Sequence, residues 1–408
     1  MNPTSPDIQD LIRRIPKTDL HVHLDGCVRL ETLIEIAQLE KIQLPSYTVS
    51  GLNELVFKET YSNLEEYLKT FGYSCSVMQK PEYLERIAYE MAIDNQLEGV
   101  RYIEVRFAPQ LHINRRMDMA TVLSAVNTGL ERAAREFNHK PGVRAGKEPP
   151  FRYGIIVCAL RSFGAYSEYY GQFIAAHSFS DMKTIFGLCS FELAQGAVRI
   201  RDKYGLPIVA FDLAGAEAGN PAKDHWRAFQ FVHGNFMMKT VHAGEAYGPP
   251  SIFQAITELH ADRIGHGFYL FDTTKFDDRN VKHKKGYVEA LSQYIADRRI
   301  TIEVCLTSNL QTNPALKDLS KHSLGKMLQR ELSVCICTDN RTVSKTTVTR
   351  ELLLALQHFN MTPIAFKNLT VYGFKRSFLP GDYSSKRQYV RQCIDYYEKL
   401  VRGTPLAC

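Results

Sequence analysis

Along most of the chain, short apolar runs of strand length alternate with longer stretches in which apolar residues recur every three or four positions. That rhythm predicts strands interleaved with amphipathic helices. The first strand lies in Thr18-Asp19-Leu20-His21-Val22-His23-Leu24-Asp25-Gly26. Leu20, Val22 and Leu24 alternate with His21 and His23, so a period of two puts both imidazoles on one face and the apolar residues on the other. Asp25-Gly26 turns the chain, and Leu30, Leu33, Ile34 and Ala37 follow at helical spacing. Residues 41–80 then interrupt the rhythm. Within them Leu64, Tyr67, Leu68 and Phe71 stand at i, i+3, i+4 and i+7, which predicts one apolar helical stripe, either core-packed or a lid. A long helix over 81–98 leads through Gly99 into a second strand at 100–109, whose Glu104 and Arg106 share a face and read as an internal ion pair.

The alternation continues to the end. Strands are predicted at 153–160, 207–215, 237–245, 262–267, 300–305 and 332–338. Between them lie a helix ending near 138, an irregular loop at 139–150, an irregular aromatic insertion at 166–179 and a helix at 181–204. The tail 386–401 is amphipathic and is expected to pack rather than act. Eight strands alternating with helices predict an α/β fold, a parallel (β/α)8 TIM barrel. It forms a single domain over 1–408, with a helical insertion at about 41–80 and extra terminal helices, and its active groups lie at the C-terminal ends of the strands.

Composition narrows the function classes. At 45% apolar and 23% charged residues the chain reads as an ordinary globular protein. Nine cysteines, an odd number without a Cys-x-x-Cys pair, argue against a disulfide framework and a thiolate metal site. Cys158, Cys305, Cys335 and Cys337 sit in apolar runs and read as core. A net charge of +6 over 408 residues is modest. The basic stretches 144–152 and 282–285 are short and lack interleaved aromatics, so nucleic-acid binding is not expected. There is no apolar run of membrane-spanning length, and Met1-Asn2-Pro3-Thr4-Ser5-Pro6-Asp7 lacks signal-peptide character, which points to a cytoplasmic protein with no membrane partner. The sequence carries no signal for an oligomeric state.

The predicted barrel gathers the chemistry. His21, His23, His242, Glu245, His266 and Asp339 all fall at the C-terminal ends of strands one, five, six and eight. Two histidines are half of a four-ligand site; six ionisable groups meeting on one rim from four distant segments point to a metal-dependent active site.

His21-Val22-His23-Leu24-Asp25-Gly26, Val241-His242-Ala243-Gly244-Glu245, Arg263-Ile264-Gly265-His266-Gly267 and Thr338-Asp339, in this order, resemble the signature of the adenosine deaminases, a branch of the amidohydrolase superfamily. The match spans about 15 to 378, including Asp212-Leu213-Ala214-Gly215 and Lys375-Arg376-Ser377-Phe378. The resemblance implies one Zn2+ per chain bound by His21, His23, His242 and Asp339, with Asp339 also a catalytic group. It implies that Glu245 protonates purine N1 while hydroxide attacks C6, and that His266 orients or deprotonates the attacking water and stabilises the developing oxyanion. These roles are chemically coherent: C6 becomes electrophilic enough only when N1 gains a proton, so a carboxylic acid kept protonated by burial is needed opposite the metal. By the same resemblance Asp25 accepts from the ribose 5′-hydroxyl, the Gly215 N–H donates to purine N3, and Leu64, Tyr67, Leu68 and Phe71 form a lid. Asp25 as a helix cap and Gly215 as a turn residue are the plainer alternatives.

Two departures stand out. Many relatives have Thr-Asp-Asp-Pro where this chain has Thr338-Asp339-Asn340-Arg341, and an Asn340 amide can donate to purine N7 without being protonated. Relatives often have Pro after Cys where Cys305-Leu306 stands, a change to the local turn. The implied function is deamination of adenosine, with 2′-deoxyadenosine, to inosine and ammonia in purine salvage, the partner being a small purine nucleoside. The alternatives are a sister deaminase acting on adenine, an N6-modified adenine nucleotide or a 6-aminofutalosine-like nucleoside, or a non-catalytic binding protein on the same fold. Asp25 disfavours a 5′-phosphate, because like charges would face each other at low dielectric.

Overall fold

The computed structural model describes residues 5–276 and 281–408. Among them eight parallel strands follow one another in chain order: β1 Lys17–His23, β2 Val100–Phe107, β3 Arg152–Leu160, β4 Ile208–Ala214, β5 Met238–Ala243, β6 Arg263–His266, β7 Thr301–Val304 and β8 Val334–Ile336. A parallel bridge between Val22 and Asp339 brings the chain beyond β8 back to β1. There the Asp339 N–H donates to the His21 carbonyl and the His23 N–H to the Asp339 carbonyl, both at 2.8 Å. The result is a nearly closed (β/α)8 barrel with helices between the strands, as the alternation predicts. Residues 1–4 of the N-terminal stretch read for targeting lie outside the described residues. Among those described, no helix is long and apolar enough to cross a membrane.

Seven of the eight strands are shorter than their sequence patterns, with the trimming mostly at the C-terminal rim, while β3 starts one residue early at Arg152. His266 and Asp339 have left-handed φ of 64° and 60°, and Gly215 follows β4 at 95°. Such backbone is strained for residues with a Cβ and gathers at functional sites. His266 still pairs with Ala243 on β5 and Asp339 with Val22 on β1, so both left-handed residues stand at the last paired positions of the barrel rim.

Glu104 and Arg106 are both fully buried, but they do not form the pair their spacing suggested. Arg106 reaches Asp212 at 2.9 Å and Glu303 at 2.8 Å, whereas Glu104 meets Arg263, which also holds Glu303 at 2.6 Å. Residues two apart on a strand are about 6 to 7 Å from each other along it, farther than neighbours across the barrel. The interior is therefore charged, while Val22, Ile103, Val105, Ile155 and Val157 join the apolar core.

Three other expectations change. The Leu64 to Phe71 stripe is not one helix but two, Leu64–Lys69 and Phe71–Val77. The break is at Thr70, whose hydroxyl and N–H both turn back to the Tyr67 carbonyl. The aromatic insertion at 166–179 is not irregular: it contains the helix Glu168–Ala176, capped by Ser167 Oγ accepting from the Tyr170 N–H at 3.2 Å. Tyr170 stacks on Phe163, with ring centroids 4.1 Å apart. Within the loop 139–150, Pro141 starts a single helical turn, Pro141–Arg144. The tail helix begins early, at Tyr383, because Asp382 caps it, and it buries Tyr389, Cys393, Tyr397 and Val401 as expected of a packing helix. Cys158, Cys305, Cys335 and Cys337 are buried.

Candidate functional site

At the end of β1 the His21 ring is fully buried, with Nδ1 2.8 Å from Glu303 Oε2. Burial alone would raise the Glu303 pKa, but the Arg106 and Arg263 guanidiniums hold it well below the usual carboxylate range. A carboxylate only accepts, so His21 carries a proton on Nδ1 and turns Nε2 inward. That buried nitrogen has no hydrogen-bond partner. His242, on β5, repeats the arrangement: Nδ1 lies 3.2 Å from Asp212 Oδ1, and Nε2 faces His23 Nε2 at 3.2 Å. Asp339 Oδ1 lies 3.4 Å from both His21 Nε2 and His23 Nε2, while its Oδ2 accepts from Ser308 Oγ at 2.6 Å. His266 belongs to the same knot of side chains: ligand-capable atoms of His21, His242, His266 and Asp339 all lie within 4.8 Å of one another.

This donor set fits a metal ion. Three imidazole Nε2 atoms, one of them without a hydrogen-bond partner, converge with a carboxylate oxygen, a set of lone-pair donors that one ion can satisfy together. Histidines whose far nitrogen is fixed by a carboxylate are the arrangement found behind metal sites.

Across from this cluster, Glu245 Oε1 lies 3.7 Å from His266 Nε2. Burial, then the nearby Asp339 and Glu217 carboxylates, push its carboxyl well above the ordinary range, which favours the protonated acid. Glu217 anchors the loop that carries it. Its carboxylate accepts from the N–H groups of Gly244, Glu245, Ala246 and Tyr247 at 2.7 to 3.1 Å and from Ser251 Oγ.

A cavity of about 800 Å³ opens over these groups. His23, His242, Glu245, His266 and Asp339 line its floor side, together with Asp25, Gly215 and Asn340, while His21 sits beneath. From the insertion, Leu64, Tyr67, Leu68 and Phe71 line the cavity despite the helix break between them. Asp25 does not cap the following helix, which starts at Leu30 with Arg29 at its cap position. Instead it is buried, with Oδ1 lacking a hydrogen bond and 3.9 Å from His23 Nδ1, Cys75 Sγ is 3.9 Å from Oδ2, and burial raises its pKa to about 7. Asn340 Nδ2 donates to Tyr67 Oη at 2.8 Å, which leaves one amide hydrogen for a ligand.

Several groups that shape the site had been given no role from the sequence. Asp212 and Glu303 are each a lone carboxylate in an apolar strand, a costly placement that signals a buried partner. Asn309, Glu217 and the lining residues Cys75, Phe163 and Tyr166 carried no comparable pattern.

Residues 16–395 match the family model described as adenosine deaminase. The adenosine deaminase of Mycobacterium ulcerans (strain Agy99) is 34% identical over 376 residues, covering 91% of this chain and 93% of that protein. Among solved structures, an amidohydrolase from Burkhoderia ambifaria with bound Zn superposes with a TM-score of 0.75 at 20% identity, over 97% of this chain and 94% of the other. The N6-methyl-AMP deaminase of Arabidopsis thaliana gives 0.70 at 21% identity, over 95% and 98%. The two structures share the fold.

Proposed function

Because the chain belongs to the adenosine deaminase family and is a hydrolytic deaminase, we propose that it converts adenosine and 2′-deoxyadenosine to the 6-oxo nucleosides and ammonia, with one zinc at the histidine cluster. The observation that carries the reading is the buried, protonation-prone Glu245 facing His266 and the convergent histidines across one cavity.

His21, His23, His242 and Asp339 hold the ion, which supplies Lewis acidity and brings the pKa of a water toward about 7. His266 is set apart from the ligands because its ring also faces Glu245. As the water oxygen bonds to C6, the C6–N1 electron pair moves to N1 and takes the Glu245 proton. The C6–N6 bond then breaks: the amino group takes one of the two water protons and leaves as ammonia, the C6–O bond becomes a carbonyl, and the other water proton restores the Glu245 acid. Asp25 accepts from the ribose 5′-hydroxyl, the Gly215 N–H donates to N3 and the free Asn340 amide hydrogen to N7. Leu64, Tyr67, Leu68 and Phe71 cover the purine and keep out water that would compete for these polar groups. On this reading the chain is one catalytic domain and 41–80 is its lid.

The carboxylates Glu65, Glu168 and Asp339 line the cavity beside a single Lys or Arg side chain among the described residues, Lys69. That charge balance favours a neutral nucleoside over a 5′-phosphate. The test is an ultraviolet assay of adenosine, 2′-deoxyadenosine, adenine, AMP and N6-methyl-AMP side by side, with elemental analysis of the protein. Turnover of the two nucleosides and about one zinc per chain are expected. Turnover confined to AMP, N6-methyl-AMP or adenine would overturn the substrate, and full activity without metal would overturn the ion.

A further inference from the structure

Behind His266 runs a chain of buried polar groups that the reaction itself does not touch. The Leu324 backbone N–H donates to His322 Nδ1 at 3.0 Å, His322 Nε2 lies 3.1 Å from Asn309 Oδ1, and Asn309 Nδ2 lies 3.1 Å from His266 Nδ1. Asn309, His322 and His266 are each no more than 2% exposed.

The direction of this chain is fixed at its far end. A backbone N–H can only donate, so His322 Nδ1 must be the bare, accepting nitrogen. Burial lowers the His322 pKa to about 3, so the ring is neutral and its one proton sits on Nε2. That N–H needs an acceptor, which orients the Asn309 amide with its oxygen toward His322 and its NH2 toward His266. His266 Nδ1 must then accept, and its proton sits on Nε2. His21 and His242 have the opposite assignment, because their Nδ1 atoms face the Glu303 and Asp212 carboxylates.

We propose that Asn309 and His322 are positioning residues that fix His266 in the Nε2–H tautomer, so that it serves the reaction as a hydrogen-bond donor and neither as a base nor as a metal ligand. The inference rests on the deaminase reading of the site and refines the part His266 plays in it. With Nε2–H aimed into the space between the cluster and Glu245, His266 orients the attacking water through an oxygen lone pair. It then donates to the oxygen that gains negative charge as the bond to C6 forms, the geometry of an oxyanion donor. The same proton keeps His266 out of the ligand set although its ring is among the four that converge.

The test reads the tautomer directly. In protein labelled with ¹⁵N-histidine, long-range ¹H–¹⁵N spectra distinguish a protonated from a bare ring nitrogen. The wild type should show His266 with bare Nδ1 and protonated Nε2; the reverse pattern would overturn the proposal without bearing on which substrate is deaminated. Asn309→Asp replaces the donor by an acceptor of the same shape, so His266 should switch to Nδ1–H. The turnover of adenosine should fall by about a hundredfold, the scale of one lost oxyanion donor, with KM little changed. His322→Gln retains an amide donor to Asn309 and should keep the wild-type tautomer and most of the activity. An Asn309→Asp protein with unswitched His266 or near-normal turnover would overturn the relay. Failure of adenosine turnover alongside the expected wild-type spectrum would count against the substrate and leave the tautomer assignment standing.

Discussion

Glu245 is a carboxyl whose surroundings, not its residue type, suit it to donate a proton at neutral pH. Burial and two nearby carboxylates raise its pKa, so the acid form persists above the ordinary carboxylate range and is lost only as pH rises through the raised value. The kcat/KM for adenosine should therefore hold through neutrality and decline on the alkaline side. Glu245→Gln, which cannot deliver the proton, should lower kcat by about 10² to 10⁴. A variant with near-normal turnover would remove Glu245 as the acid. At this scale the sequence was informative where chemistry is concentrated in short motifs, as in His21-Val22-His23. It was nearly silent where a group acts through another. Asn309 and Glu217 look like ordinary polar loop residues until the fold sets them against His266 and the loop that carries Glu245.

The strands were legible because their apolar runs are long and bounded by turns, and the rim was legible with them. The helical insertion keeps the periodicity its apolar stripe predicts but not the continuity, since Thr70 offers its own hydroxyl to the Tyr67 carbonyl where the helix breaks. Likewise Ser167 starts a helix in a stretch whose aromatics mask the period. The helix Leu64–Lys69 is tethered to the barrel through Tyr67 Oη, which contacts Asn340 Nδ2 at 2.8 Å and Ser344 Oγ at 2.9 Å. Tyr67→Phe removes both contacts and leaves Asn340 without its partner. If this helix is the lid, KM for adenosine should rise several-fold while the global unfolding free energy drops by only about 1 to 2 kcal/mol. Steady-state kinetics beside a urea titration separates the two effects, and an unchanged KM would detach the helix from substrate binding.

Across the whole molecule, one network of buried charges both fills the barrel and orients the cluster. Arg106 neutralises Asp212 and Glu303, the same carboxylates that face Nδ1 of His242 and His21. Arg106→Met should thus cost about 3 to 5 kcal/mol in denaturant unfolding, because Asp212 loses its cation in a closed interior and Glu303 is left with Arg263 alone. Metal affinity should weaken by about 10- to 100-fold, measured by competition with a chelator. Stripping the ion from the intact protein should lower its thermal midpoint, since an ion at about a thousand times its Kd stabilises the fold by about 4 kcal/mol. Re-addition of zinc should restore it, and a midpoint indifferent to chelation would speak against the ligand set. The backbone amides of His23 and Asp339, which join the first strand to the segment beyond the last, belong to residues whose side chains meet at 3.4 Å and are proposed as ligands of one ion. A cation seated there rivets the barrel's seam, so hydrogen exchange at these two positions should report metal occupancy before any substrate is added.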